Sequence, residues 1–518
     1  MRKDEYRVLM ISINNVWRYG NIGLDQLTGY LRDKGFIVDI NYFRKSDSAG
    51  EIFNTILKDY SFYGFSVNSS NYVKCCKIAK HIKKTVPKAV IVFGGGYTTR
   101  YYKEVFGETE DLDFITLGDG EVPTEFLLEN LLINGNYRNE EVTNYMSIAS
   151  RKDMNNKQPY LNTEITWFPS FDYYEKDTHI RNSRKVHCIQ IKNNVCTGNC
   201  SFCTERHGNI FYKDISEVVR QVKYVHENFN VKKFYFTDDN ILDPNNVIAK
   251  QHIKSLCEEL KKLGYKLAFQ CYIKAISLND IKEDHELLEL MRSVGFVEIF
   301  VGIESGNNED LVLYNKHTTI TDNYNIMKMI TEHGITPIMG FIGFNPYSTL
   351  DKIKKNFLFL CNVKCTYLFN YLYTFVVINK YTSLYEMSKK DDLLLSSNEE
   401  CINVKYTYKD KSVIPILKYV DEKMIPRLNS LDYELDWVTY SVLEHEIWYE
   451  NIKDYRPMLE KYKNEDFEII KTYLSILFID NDLDRFKSVE DKFWAHFIER
   501  EKDLKMVYDY LISLHEKN

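Results

Sequence analysis

The sequence predicts an α/β protein in three parts: a doubly wound, Rossmann-like parallel sheet, a partial (β/α)6 barrel and a helical C-terminal region. Three observations predict it. Short apolar runs alternate with helical patterns five times within residues 1–135. A second series of six alternations spans residues 185–390. From residue 391 to 518 the chain turns charged and helical in pattern. Strand and helix in strict alternation are the mark of parallel sheets joined by crossovers.

Bulk properties bound the problem. A chain of 518 residues holds two or three domains. Its 44% hydrophobic and 27% charged content is that of an ordinary soluble globular protein. The net charge of −7 argues against a nucleic-acid surface. The N-terminal MRKDEY lacks the apolar run of a signal peptide. No apolar stretch approaches the ~20 residues that span a bilayer. A cytoplasmic location is expected, and the 11 cysteines are then thiols and ligands rather than disulfides.

The first part, residues 1–135, opens with the apolar run 6–13, which suits a strand buried on both faces. Residues 23–34 carry apolar positions at helical spacing and stop at Gly35. Further strands are expected at 36–42, 63–67, 89–93 and 113–117, with helices at 49–58, 72–85, 98–105 and 122–132. Ligands of such sheets bind at the carboxyl ends of the strands. Those ends carry Asn14 to Gly20 (with Trp17, Arg18 and Tyr19), Ser66-Val67-Asn68, Gly94-Gly95-Gly96-Tyr97-Thr98 and Gly118-Asp119-Gly120-Glu121. Glycines there let a backbone approach a large flat ligand, and they equally suit tight turns. Residues 136–184 form a polar connector with weak periodicity. Its aromatic cluster at 167–174 is expected to pack between domains.

In the second part, 185–390, strands are expected at 186–192, 233–236, 266–272, 297–302, 336–342 and 367–377. Helices are expected at 215–227, 247–263, 286–294, 324–333 and 349–361. After the first of these strands comes Cys196-Thr197-Gly198-Asn199-Cys200-Ser201-Phe202-Cys203, three cysteines at C-x3-C-x2-C spacing in a loop able to curl. By itself this spacing admits three readings: structural thiols, a zinc site completed by His207, or a 4Fe–4S cluster with one iron left without a protein ligand. His187 and the pair Cys361 and Cys365 carry no assignment beyond structure.

The cysteine spacing, with Phe202 before the last cysteine, resembles the signature of radical S-adenosylmethionine (SAM) enzymes. With GGGYTT and GDGE ahead of it in order, the chain resembles the cobalamin-dependent members of that family over residues 6–390, about three quarters of its length. The resemblance implies a 4Fe–4S cluster on Cys196, Cys200 and Cys203, with SAM chelating the open iron and cleaved by one electron to a 5′-deoxyadenosyl radical. It places Asp238 and Asp239 of YFTDDN near the SAM amino group, Lys274 near its carboxylate and Glu304 of VGIESGN near its ribose. It also places Phe202 and Phe341 against SAM, the latter through an apolar backbone edge at adenine. It implies cobalamin against Asn14, Trp17, Arg18, Tyr19, Ser66, Asn68, Gly94 to Thr98, Gly118, Gly120 and Glu121. The sequence departs from the pattern in three places. The first is Lys274, where relatives often show Arg and which cannot make Arg's bidentate contact. The loop 14–20 has no His to serve as a lower cobalt ligand, and Asn379 to Tyr385 replaces the usual Pro-Gly-Thr turn.

The C-terminal part, 391–518, shows helical patterns at 435–448, 467–478 and 493–514 and carries no legible chemistry. The expected function is reductive cleavage of SAM and methylation of an unactivated carbon through methylcobalamin. The alternatives are a cyclase or rearrangement enzyme with the same cofactors, or a non-catalytic redox sensor. Expected partners are a small-molecule or peptide substrate and an electron donor such as flavodoxin or ferredoxin.

Overall fold

The computed structural model describes residues 7–14, 20–56, 60–133, 144–162, 168–176, 186–193, 195–204, 208–243, 247–364, 371–395, 404–430 and 454–516. Trp17, Arg18, Tyr19, Trp167, His207, Cys365 and the helix expected at 435–448 lie outside the described residues. The chain divides into two compact units, one of residues 1–193 with 211–235 and one of 194–210 with 236–518. No described helix is long and apolar enough to cross a membrane.

The first unit is built on a six-stranded sheet. Its strands are β1 (Arg7–Asn14), β2 (Ile37–Arg44), β3 (Phe62–Ser66), β4 (Val90–Gly94), β5 (Phe114–Thr116) and β6 (Ile148–Ser150). The order is β2-β1-β3-β4-β5-β6. The first five are parallel, in register from Val8 opposite Phe62 to Ser12 opposite Ser66 at the centre. β1 is apolar because helices cover both faces, and Val8, Leu9, Met10 and Ile11 are fully buried. The chain steps from β1 to β2 on one side and then crosses back to β3 on the other, the reversal of strand order beside which sheets of this kind bind ligands. The helix Ile22–Asp33 is fixed at its start by Asn21, whose Oδ1 accepts from Leu24 N at 3.2 Å. Gly35 at φ +85° turns the chain out of it toward β2.

The connector differs from expectation. β6 runs antiparallel to β5, with Ile148 and Ala149 fully buried, and a short helix forms at Asp172–Lys176. Three residues are too few for any periodicity to show, and the polar residues around them hid the strand.

The remaining strands are β7 (Val186–Ile189), β8 (Lys233–Phe236), β9 (Ala268–Lys274), β10 (Phe296–Glu304) and β11 (Thr336–Phe341), in a second sheet of order β11-β10-β9-β8-β7. In the second unit β10 pairs in parallel with β9 and with β11, and the ladder to β11 shifts between Gly302 and Glu304. A sixth strand was expected at 367–377. Among the described residues this stretch makes only a parallel bridge, Phe375 to Phe344. The N–H of Gly343 goes to the Thr374 side-chain oxygen at 2.9 Å, so a side chain takes the place of a ladder bond there. The C-terminal region contains two long helices, Arg456–Phe478 and Leu483–Glu516. Buried Asp466 on the first binds His496 at 2.7 Å and Arg500 on the second.

Candidate functional site

The cysteine loop is held from two sides. On one, Thr197 donates its N–H to Asp243 Oδ2 at 2.7 Å, and its hydroxyl bonds the other carboxylate oxygen. Lys274, the last residue of β9, reaches Thr197 Oγ1 at 3.1 Å and Asp243 Oδ1 at 3.2 Å. Asp243 is fully buried, so its carboxylate depends on these charge-assisted bonds and the loss of a partner would leave an uncompensated interior charge. Gly198 fits under it because a Cβ there would lie 3.2 Å from Lys274 Cε and 3.3 Å from Cys196 Sγ. On the other side, Ser201 donates its N–H to Tyr314 O at 2.9 Å and its hydroxyl to Leu313 O at 2.8 Å. Asn315 Nδ2 donates to Asn199 O at 2.7 Å.

Cys196, Cys200 and Cys203 are thus presented half-buried on one braced loop. The Gly198 N–H points at Cys196 Sγ from 3.3 Å. Among the described residues no three His, Cys, Asp or Glu side chains converge on a single-ion position. A closed zinc site needs that convergence. A 4Fe–4S cluster puts each thiolate on its own iron, so three separate thiols with an amide hydrogen bond fit that group. Burial pushes the Cys200 thiol up, opposed by the ammonium groups of Lys316 and Lys274.

Three strand ends carry the expected polar residues. Asp238, after β8, turns into the interior, while Asp239 is half-buried. Asn240 is fully buried, with Oδ1 accepting from Leu242 N at 3.1 Å. Glu304 closes β10 at φ +65°, a left-handed conformation that glutamate rarely adopts. Its carbonyl accepts from Ile342 N at 2.9 Å, and its carboxylate meets Lys316 Nζ at 3.3 Å. Behind it a buried polar network fixes the turn. Asn356 Oδ1 accepts from Gly306 N at 2.8 Å and Ser305 Oγ at 3.0 Å, and Asn323 Nδ2 donates to Ser305 O at 3.0 Å. Gly306 is glycine because a Cβ would lie 2.4 Å from Phe359 Cβ.

The two aromatic side chains expected at SAM each have a ring neighbour in the protein. Phe202 packs edge-on to buried Tyr314, with ring centres 5.4 Å apart. Phe341 is buried and stacks on Phe359 at 6.2 Å, which leaves its backbone rather than its ring for a ligand. The structure therefore gathers the cysteines, Lys274 and Glu304, adding Asp243 and Lys316, which sequence reasoning missed. Nothing in a single sequence marks an aspartate 46 residues from Thr197 as its partner.

The strand ends of the first unit separate into two kinds of glycine. Gly95 has φ +105°, and a Cβ would lie 2.6 Å from Val67 O. Gly118 has φ +84°, and a Cβ would lie 2.1 Å from Tyr160 O. The backbone of Tyr160 hooks over this end, donating to Leu117 O at 2.8 Å and accepting from Asp119 N at 2.9 Å. Both glycines are thus required by neighbouring backbone, irrespective of any ligand. Gly96 is exposed, with nothing within 4 Å of a Cβ. Gly94 would meet Thr116 Oγ1 at 2.9 Å, and Gly120 a Leu27 methyl at 3.3 Å and Thr124 Oγ1 at 3.7 Å. Tyr97 lies between Tyr72 and Tyr101, at 4.9 and 5.1 Å. Thr98 is buried with its hydroxyl on Gly95 O at 3.2 Å, and Glu121 is buried. Asn68 caps its own turn, accepting from Ser70 N at 2.9 Å and Asn71 N at 3.1 Å. Buried Asn71 ties the sheet centre together, donating to Ile13 O at 2.9 Å and to Ser66 O at 3.0 Å. The open ground at Gly96, at a strand edge where flat ligands bind, fits a corrinoid edge.

The same unit holds a small pocket lined by Asp25, Tyr173, His187, Cys188 and Gln221 among others. His187 is fixed by Tyr173 OH at 2.6 Å and Gln221 Nε2 at 2.8 Å, and burial lowers its pKa to about 3, so it is a neutral interior residue.

Residues 191–360 match the family model of the Radical SAM superfamily. An anaerobic magnesium-protoporphyrin IX monomethyl ester cyclase of Synechocystis sp. is 20% identical, over 54% of this chain and 54% of that protein. The chain thus spans about half the length of this relative. The solved structure of the cobalamin-dependent S-adenosylmethionine radical enzyme OxsB, with aqua-cobalamin and S-adenosylmethionine bound, superposes with a TM-score of 0.75. It covers 99% of this chain and 81% of that one at 17% identity, a likeness of fold. The radical S-adenosylmethionine methyltransferase TsrM of Kitasatospora setae, with cobalamin and a [4Fe-4S] cluster bound, gives 0.60 over 76% of this chain and 80% of that one at 15% identity. Residues 191–360 are a radical SAM domain, carried by a chain with the fold of the cobalamin-dependent radical SAM enzymes.

Proposed function

We propose that the chain is a cobalamin-dependent radical SAM enzyme that methylates an unactivated carbon of a small molecule or peptide. The observation that carries this reading is the cysteine loop braced by Asp243 and Lys274 beside the strained Glu304. When bound, the cluster supplies the electron that cleaves SAM, and cobalamin supplies a methyl carrier. Cys196, Cys200 and Cys203 hold the cluster. Asp239 and Glu304 accept hydrogen bonds from the SAM amine and ribose, and the Lys274 ammonium faces its carboxylate. The edge around Ser66 and Gly96 holds the corrinoid, with no imidazole from the loop 14–20. The protein's part is to hold these groups in reacting geometry and exclude water. A flavodoxin or ferredoxin is the expected reductant.

The test is anaerobic reconstitution with iron, sulfide and hydroxocobalamin, followed by reduction with SAM. The expected results are bound corrinoid, 5′-deoxyadenosine, and loss of both nucleoside and cluster absorbance in Cys200→Ala. Wild-type cleavage in that variant would end the reading. With a substrate in hand, a product heavier by one CH2 marks methyl transfer. The likeness to the Synechocystis cyclase favours a second reading, cyclisation with the same cofactors, which predicts a product without that gain.

A further inference from the structure

The turn 313–316, which follows the helix Asn308–Leu313, is not among the residues that the cofactor assignments use. The last carbonyls of a helix have no partner within it. Here those of Leu313 and Tyr314 are taken by the hydroxyl and the N–H of Ser201, between two of the cluster cysteines. Asn315, at φ +53°, returns a bond to Asn199 O, and His317 follows at φ +56°. Two left-handed residues flanking Lys316 are costly unless the surroundings demand them. Their result is to fold Lys316 inward until its side chain is only 7% exposed. Its ammonium sits 3.3 Å from Glu304 Oε1, in space left by Gly302, where a Cβ would lie 3.1 Å from Lys316 Nζ. Glu304 is its carboxylate partner, and the bonds from the turn to Asn199 and Ser201 hold it against the cysteine loop, where Cys196 and Cys200 add to its electrostatic surroundings.

We propose that Lys316 is a positioning residue that sets the reduction potential of the cluster, while its turn clamps the cysteine loop. This rests on the cluster assignment above. A buried ammonium beside two cluster thiolates favours the state with one more negative charge, and low local dielectric prevents water from screening it. One carboxylate, Glu304, offsets part of that charge, so the cation's effect depends on the pair staying intact.

The test uses the full-length reconstituted protein without SAM, titrated with dithionite and followed by electron paramagnetic resonance of the reduced cluster. Lys316→Met should make reduction at least tenfold less favourable, a fall of 59 mV or more for one electron. Iron content and visible absorbance should match wild type. Lys316→Arg should restore the potential, which a merely structural role would not require. If Lys316→Met fails to retain iron, Lys316→Gln replaces it with the same expected direction. A wild-type potential in a charge-removing variant with full iron content would overturn this proposal. Absence of a cluster in the wild-type protein would overturn the cluster assignment instead.

Discussion

The two sets of strand ends in this molecule solve different problems. Around the cysteine loop, position is enforced by buried side-chain charge: Asp243 on Thr197 and Lys274, Lys316 on Glu304, and an amide network behind Ser305. Around Gly94 to Glu121, position is enforced by main chain against main chain, Gly95 under Val67 and Gly118 under Tyr160. The first arrangement suits a site where charge must be balanced and reacting atoms fixed. The second suits the rim of a wide, flat cofactor, where side chains would be in the way. A glycine therefore means different things a few residues apart, and only its neighbours distinguish them.

The comparison can be broken most directly at Asp243. Asp243→Ala leaves Lys274 and the Thr197 N–H without their carboxylate. Removing one partner of a buried pair costs about 3–5 kcal/mol, and Lys274 retains some exposure, so about 3 kcal/mol is expected. The guanidinium unfolding midpoint should fall, and reconstituted protein should lose iron on gel filtration. Retention of both would show that backbone alone holds the loop. Next in size is Gly118→Ala, which forces a side chain onto the Tyr160 carbonyl in a left-handed conformation. A loss of about 2–3 kcal/mol is expected in the same measurement, with no change in cluster absorbance. The smallest effect on stability belongs to Gly96→Ala, within about 0.5 kcal/mol, because nothing is near. Corrinoid bound per chain after reconstitution should nevertheless drop. Normal corrinoid content in that variant would remove Gly96 from the rim.

Much of this was legible in the sequence. Helix Tyr72–Thr85 has the bounds its apolar spacing predicts, because Cys75, Ile78, Ala79 and Ile82 all face the core. Strands read as apolar runs because both faces are covered. What escaped was short or distant. β6 has too few residues for a period, and Asp243 and Lys316 act across gaps that carry no local signature. The left-handed backbone of Glu304 is imposed by Asn323 and Asn356, which propensity cannot anticipate. Gly118 shows the opposite limit: an unusual residue was visible, while the neighbour that requires it, Tyr160, lay in a stretch read as connector.

The short antiparallel strand β6 has a consequence for how the protein behaves in concentrated solution. Parallel β5 would otherwise end the sheet with a row of open backbone donors and acceptors, a template for another chain. β6 occupies that row, and after three residues the chain folds back, with Ser150 and Asp153 exchanging backbone bonds at 3.1 and 3.0 Å. So brief a border gives an incoming strand little length to pair with, and it guards this side of the sheet against edge-to-edge self-association.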